Sequence, residues 1–167
     1  MPSVIGSGNE DNSITIKRDA LTNYDEIFLP IDIFNNGTSC LESISKYLRQ
    51  SIGLRYCVIA DLLNRDDRTI WDAHYNANRK SNSEFKADNT SMKIPLSIFR
   101  DRTLSSLEAI TEYLKDGLNM RYCRIAGLLS KDQRTIWTVY SRVKRKRLLS
   151  NETLKMPEKY QKNDQSN

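Results

Sequence analysis

The sequence predicts an all-α protein made of two tandem tri-helical units joined by a polar linker. Three observations carry that expectation. An eighteen-residue stretch occurs twice, as LRYCVIADLLNRDDRTIW from Leu54 to Trp71 and as MRYCRIAGLLSKDQRTIW from Met120 to Trp137. The copies differ only at 54/120, 58/124, 61/127, 64/130, 65/131 and 67/133, which leaves twelve of eighteen positions identical. Apolar residues in and around both copies recur at the helical spacing i, i+3, i+4, i+7. Helix-capping residues fall at matched places in each copy.

The repeat is longer than its most similar stretch. LPIDIF, from Leu29 to Phe34, matches IPLSIF, from Ile94 to Phe99, with Pro30 on Pro95 and an offset of 65 residues. One residue is then inserted, and an offset of 66 holds from Ser39/Ser105 to Lys80/Lys146. The units are expected at 27–80 and 93–148, each roughly 50 residues and near the lower limit for a domain that folds alone. The segment 81–92 contains SNSEFKADNTS, polar and rich in Asn and Ser, and reads as a linker. Residues 1–26 and the tail 149–167 are polar and expected to be partly disordered. SITIKR, from Ser13 to Arg18, is a candidate short strand.

The elements follow in order. SCLE (Ser39 to Glu42) and SSLE (Ser105 to Glu108) have the capping-box form, in which serine and glutamate satisfy each other's backbone amides. Leu41, Ile44, Tyr47 and Leu48, with their counterparts Leu107, Ile110, Tyr113 and Leu114, give a first helix ending near Gln50 or Gly117. Tyr56, Ile59, Ala60 and Leu63 give a shorter second helix, matched by Tyr122, Ile125, Ala126 and Leu129. The breaks NRD and SKD follow, and Asp66 and Asp132 are natural N-caps for a third helix. That helix turns Ile70, Ala73, His74 and Ala77, or Ile136, Val139, Tyr140 and Val143, toward the core. Ala60 and Ala126 are small enough for the third helix to cross close to the second. Asn64 readily takes the left-handed conformation such a turn needs, and Ser130 does so less readily.

A short helix, a tight turn and a longer helix form the helix-turn-helix pattern. The stretch YCVIADLLNRDDRTIWDAHYNA resembles the helix-turn-helix of sigma factor region 4, through Ile59-Ala60, Leu62-Leu63 and Thr69-Ile70. The likeness recurs at Ile125-Ala126 through Thr135-Ile136. It covers about 25 residues per copy and implies that the third helix enters the DNA major groove. Arg65 and Lys131 stand where that family usually has an apolar turn residue, and Trp71 and Trp137 where it usually has a polar one. The other sigma-factor regions are not recognised, so a complete promoter-recognition subunit is not expected.

The third helices, 67–80 and 133–147, are therefore the expected reading elements. The candidates for base contact are Asp67, Arg68 and Trp71 in the first copy and Gln133, Arg134, Trp137 and Thr138 in the second. Glutamine can bond adenine and arginine can bond guanine in bidentate fashion, and aspartate can accept from cytosine. Asp67 also lies beside Asp66 and Asp72, which repel phosphate. The candidates for phosphate contact are Arg65, Arg79, Lys80, Lys131, Arg142, Lys144, Arg145, Lys146 and Arg147. Residues 30–80 carry seven Lys/Arg and six Asp/Glu, net +1, whereas residues 93–147 carry thirteen and five, net +8. The positive field thus belongs to the second unit, whose third helix ends in RVKRKR. The plainer account of that run is a solvated helix end that pairs with the helix dipole. The tryptophans are expected to pack on the first helix or on the LPIDIF/IPLSIF segment, or else to meet a thymine methyl or the sugar-phosphate wall.

Cys40, Cys57 and Cys123 have no metal-binding spacing, and Cys57 and Cys123 read as small packing residues. His74, the only histidine, pairs with Tyr140 in the repeat and reads as a core-edge residue. There is no Gly-rich phosphate loop, no H-x-x-x-H and no paired catalytic carboxylates, so neither an enzyme nor a cofactor is expected. No apolar run approaches the ~20 residues needed to span a bilayer, and the start lacks a secretory pattern, so a cytoplasmic, nucleoid-associated protein is expected. The expected partner is double-stranded DNA, read by a transcription regulator. The alternative is an assembly module, associated with RNA polymerase, the nucleoid or DNA packaging, in which the second unit holds DNA and the first a protein. From Lys80 to Lys93 the chain reaches ~45 Å at most, enough to place two helices one DNA turn, roughly 34 Å, apart. One chain then imitates a dimer, and the sequence leaves a rotated and a translated arrangement equally open.

Overall fold

The computed structural model describes residues 27–81 and 92–155, with side chains to 150. The candidate strand at 13–18, most of the linker and the end of the tail lie outside the described residues. The described part is mainly helical. Its elements run β1 (Phe28–Pro30), α1 (Cys40–Gln50), α2 (Tyr56–Leu63), α3 (Asp67–Lys80), β2 (Lys93–Pro95), α4 (Ser106–Glu112), α5 (Tyr122–Leu128) and α6 (Gln133–Lys155). A 3-10 turn follows each strand, at Ile31–Phe34 and Leu96–Arg100, and α4 continues into a π-helical turn at Tyr113–Gly117.

Both capping boxes form. The Ser39 amide donates to Glu42 Oε2 at 2.9 Å and the Glu42 amide to Ser39 Oγ at 3.3 Å. The same pair of bonds ties Ser105 to Glu108 at 2.8 and 3.3 Å. Asp66 and Asp132 accept from the amides of Arg68 and Arg134 and start α3 and α6. The turn before each of these helices passes through a left-handed residue, Asn64 (φ 50°) or Ser130 (φ 47°). The next amide reaches back five residues, from Arg65 to Ala60 O at 2.8 Å and from Lys131 to Ala126 O at 2.9 Å. Those bonds satisfy helix-end carbonyls that would otherwise lack a donor. Serine thus adopts the strained geometry as asparagine does. Gly53 (φ 82°) and Asn119 (φ 49°) likewise share a left-handed position before the second helices.

α3 packs across α1 and α2, and α6 packs across α4 and α5. Ile70, Ala73 and Ala77 are buried on α3, and Ile136, Val139 and Val143 on α6. His74 is half-buried, its Nδ1 3.0 Å from the Tyr56 hydroxyl, which places it at the core edge. The tail begins differently from the expectation of disorder after residue 148, because α6 runs on to Lys155.

The two copies are not separate bodies on a linker. β1 pairs with β2 in antiparallel register, Phe28 with Pro95, Leu29 with Ile94 and Pro30 with Lys93. The Ile31 amide donates to Met92 O, and the Leu96 amide to Ile27 O, each at 2.9 Å. Leu29, Ile94, Ile33 and Phe99 are each at most 1% exposed and belong to one apolar cluster that includes residues of all six helices. The 3-10 turn of each copy packs on the second helix of the other. The physical reason is size, since a unit of ~50 residues buries too little apolar surface alone and gains by sharing.

Candidate nucleic-acid interface

The outward stripe of α6 is built by helical spacing from Gln133, Arg134, Trp137, Ser141, Arg142 and Arg145, all exposed, with Thr138 half-buried beside them. Gln133, Arg134 and Trp137 line an open depression of about 640 Å³ together with Asp132 and Tyr122, the first residue of α5. The N-terminal amides of α6 point here, so the positive end of its dipole adds to Arg134. The hydroxyls of Thr138 and Ser141 donate to the carbonyls of Arg134 and Trp137 at 2.9 Å each, leaving their lone pairs outward.

α3 presents the equivalent stripe with other chemistry. Asp67, Arg68, Trp71, Asp72, Tyr75 and Arg79 are exposed. Trp71 stacks on Tyr75 with ring centroids 5.4 Å apart and planes 7° apart. The tryptophans therefore depart from the packing expectation, Trp71 being 49% and Trp137 57% exposed. The third-helix stripe that carries them is the one turned away from the core, so α1 and α4 cannot cover them.

The basic residues divide by direction. Lys80 pairs with Glu42 at 2.9 Å, and its counterpart Lys146 pairs with Glu108 at 2.6 Å. Lys144 pairs with Asp116 at 2.9 Å, in the place where the first copy has Asn78 bonded to Gln50. Arg147 grips both oxygens of Glu112, at 2.8 and 2.7 Å, and also Asp101 at 2.8 Å. These four cations, expected at phosphates, lie instead on the seam between the first and third helices of their own copy. Arg65 is half-buried where the copies meet, donating to Leu104 O at 3.5 Å, and Lys131 is half-buried in the same region. Both depart from an outward phosphate role because the shared interface covers the turn. Arg79, Arg142 and Arg145 remain outward and form no ion pair among the described residues.

Sequence reasoning missed two outward cations, Arg121 and Arg124, which flank the first turn of α5 beside Tyr122 and are both exposed. The substitution of Arg124 for Val58 was the available signal. Cys123 is exposed and Cys57 half-buried, so neither is the packed residue expected. Cys40 is buried, and burial pushes its thiol up to about 12, against the pull of Lys131. Among the described residues, no group of His, Cys, Asp and Glu is arranged to hold a metal, and no helix is long and apolar enough to cross a membrane.

The seam is also a pH-sensitive part of the fold. Burial works against the charge on Glu42 and Glu108, but the lysine and serine hydrogen bonds outweigh it and hold both carboxyls below their usual value. A depressed carboxyl stabilises the fold above its unfolded pKa of ~4.3, and that contribution disappears as pH falls through the lower folded value. Glu108→Ala is expected to cost about 1–2 kcal/mol at pH 7, from the lost cap and the stranded Lys146. The difference from wild type is expected to shrink in urea melts below pH 4. An unchanged difference at acid pH would mean that the carboxylate charge is irrelevant.

Comparison with protein-family models, with curated proteins and with solved structures finds no match to this chain.

Proposed function

We propose that this chain is a sequence-preferring double-stranded DNA-binding protein, most simply a transcription regulator. In this reading each copy is a tri-helical helix-turn-helix unit, and α3 and α6 are the recognition helices. The observation that carries it is the sorting of charge on the second unit. Lys144, Lys146 and Arg147 are consumed by carboxylates of their own unit, while Arg134, Arg142, Arg145, Arg121 and Arg124 stay outward without one. Keeping cations unpaired on one face has a cost in self-repulsion, which an anionic partner offsets. Gln133 and Arg134 sit at the helix N-terminus, where a recognition helix meets base edges, and Arg142 and Arg145 sit further along, where phosphates flank the groove.

The test is a titration of fluorescent duplex at several salt concentrations. Each phosphate neutralised contributes roughly 0.9 to the slope of log affinity against log salt. Changing both Arg142 and Arg145 to Gln is expected to reduce that slope by up to ~2 with little change in stability. An unchanged slope would remove the phosphate role from this face. A matching change in Lys146 is expected to act through stability instead, because its partner is Glu108.

A second reading has its own observation. The α3 stripe pairs a stacked Trp71–Tyr75 surface with Asp67 and Asp72, a face better suited to a protein than to phosphate. In that version α6 holds DNA and α3 holds RNA polymerase or another protein. Arg68→Ala separates the two, since weaker DNA binding supports reading by both helices and unchanged binding supports the split.

A further inference from the structure

We infer that the DNA target of this chain is an imperfect inverted repeat, with one half-site for each copy, and not a direct repeat or a single half-site. The inference rests on the DNA-binding reading above and adds the relative orientation of the two recognition helices.

The contacts between copies are symmetric under their exchange. In the repeat, Phe28 corresponds to Lys93, Leu29 to Ile94 and Pro30 to Pro95. The observed register pairs Leu29 with its own counterpart Ile94, and pairs Phe28 and Pro30 with each other's counterparts. The two flanking bonds, Ile31 N to Met92 O and Leu96 N to Ile27 O, are images of each other. Phe34 meets its counterpart Phe99 at 6.1 Å. A pocket of about 320 Å³ is lined by Arg65 and the start of α1 together with Lys131 and the start of α4, again matched position for position. A translated pair of units would place equivalent strands parallel and would bring no residue against its own counterpart. All these self-pairings lie on one line only if a two-fold rotation relates the copies.

That rotation reaches the reading helices. The carbonyl of Asn64, in the turn before α3, accepts from Arg102 Nη1 of the other copy at 3.0 Å. Ser130, in the turn before α6, hydrogen-bonds Asn35 of the other copy. Each recognition helix is thus tied at its start to the opposite copy, and the short, polar connection at 82–91 does not set their relation. A duplex has two-fold axes of its own, and a two-fold body docks with its axis on one of them, so its halves read opposite strands. The stripes differ, Asp67 against Gln133, Asp72 against Thr138 and Tyr75 against Ser141, so the half-sites differ in sequence while keeping opposed direction.

The experiment uses the full chain to select duplexes from a random pool. One half-site of the best duplex is then reversed in place. The expected result is two half-sites of opposed direction, a loss of tenfold or more on reversal, and relaxed preference on opposite strands for Arg68→Ala and Arg134→Ala. Enrichment of a direct repeat, or of one half-site indifferent to reversal, overturns the inference and leaves the DNA-binding reading standing. Failure to bind any duplex overturns both.

Discussion

Phe99→Ala is expected to destabilise the whole described fold by about 3–5 kcal/mol, the usual range for truncating a buried phenylalanine. Phe99 is 1% exposed, belongs to the cluster shared by both copies, and its ring lies 6.1 Å from that of Phe34. It sits in the segment that packs on the second helix of the other copy. Its removal therefore opens a cavity that neither copy can close alone. Guanidinium melts followed by far-UV circular dichroism are expected to show one transition, shifted as a unit. Two transitions, with only the second copy affected, would contradict the shared core. Phe28→Ala gives the contrast. Phe28 is 47% exposed beside the same ribbon, and its truncation is expected to cost well under about 1 kcal/mol.

Arg134→Ala is expected to weaken binding to the selected duplex by about 1–3 kcal/mol, or roughly 5- to 150-fold, and to relax preference at one base pair. The side chain is exposed, lines the depression with Gln133 and Trp137, and forms no ion pair among the described residues. Its loss removes no internal contact, so the melting midpoint is expected to stay within about 0.5 kcal/mol of wild type. Stability and affinity are thereby separated in one variant. A uniform loss across all sequences would make Arg134 a phosphate contact, and no loss would remove α6 from the interface. Arg68→Ala is expected to have the smaller effect, because Asp67 and Asp72 lie on the same exposed stripe and lower the local potential.

Different parts of this architecture were legible to different degrees. The capping boxes at Ser39 and Ser105, the caps at Asp66 and Asp132, and the bends at Asn64 and Ser130 are all local, and spacing alone placed them. The outward stripes also followed from spacing, because 3.6 residues per turn decides which side chains oppose Ile70 or Ile136. The basic run was only half legible. RVKRKR reads as one patch, yet Arg142 and Arg145 point away from α4 while Lys144, Lys146 and Arg147 meet its carboxylates. A second clue was present in the repeat itself, since Lys146 and Lys80 recur opposite Glu108 and Glu42. Pairs 38 residues apart are not visible without knowing that the first and third helices touch.

What this sequence determined by itself is the set of elements and their caps, turns and outward faces, because each depends on residues within about one or two helical turns of each other. What only the tertiary structure decided is how the copies meet: strand on strand through Leu29 and Ile94, ring to ring through Phe34 and Phe99, with the tryptophans left outside. The reason is that LPIDIF and IPLSIF each carry an apolar surface that fits either copy equally well. The repeat makes that choice degenerate in sequence, and only the burial gained by exchanging the two segments resolves it.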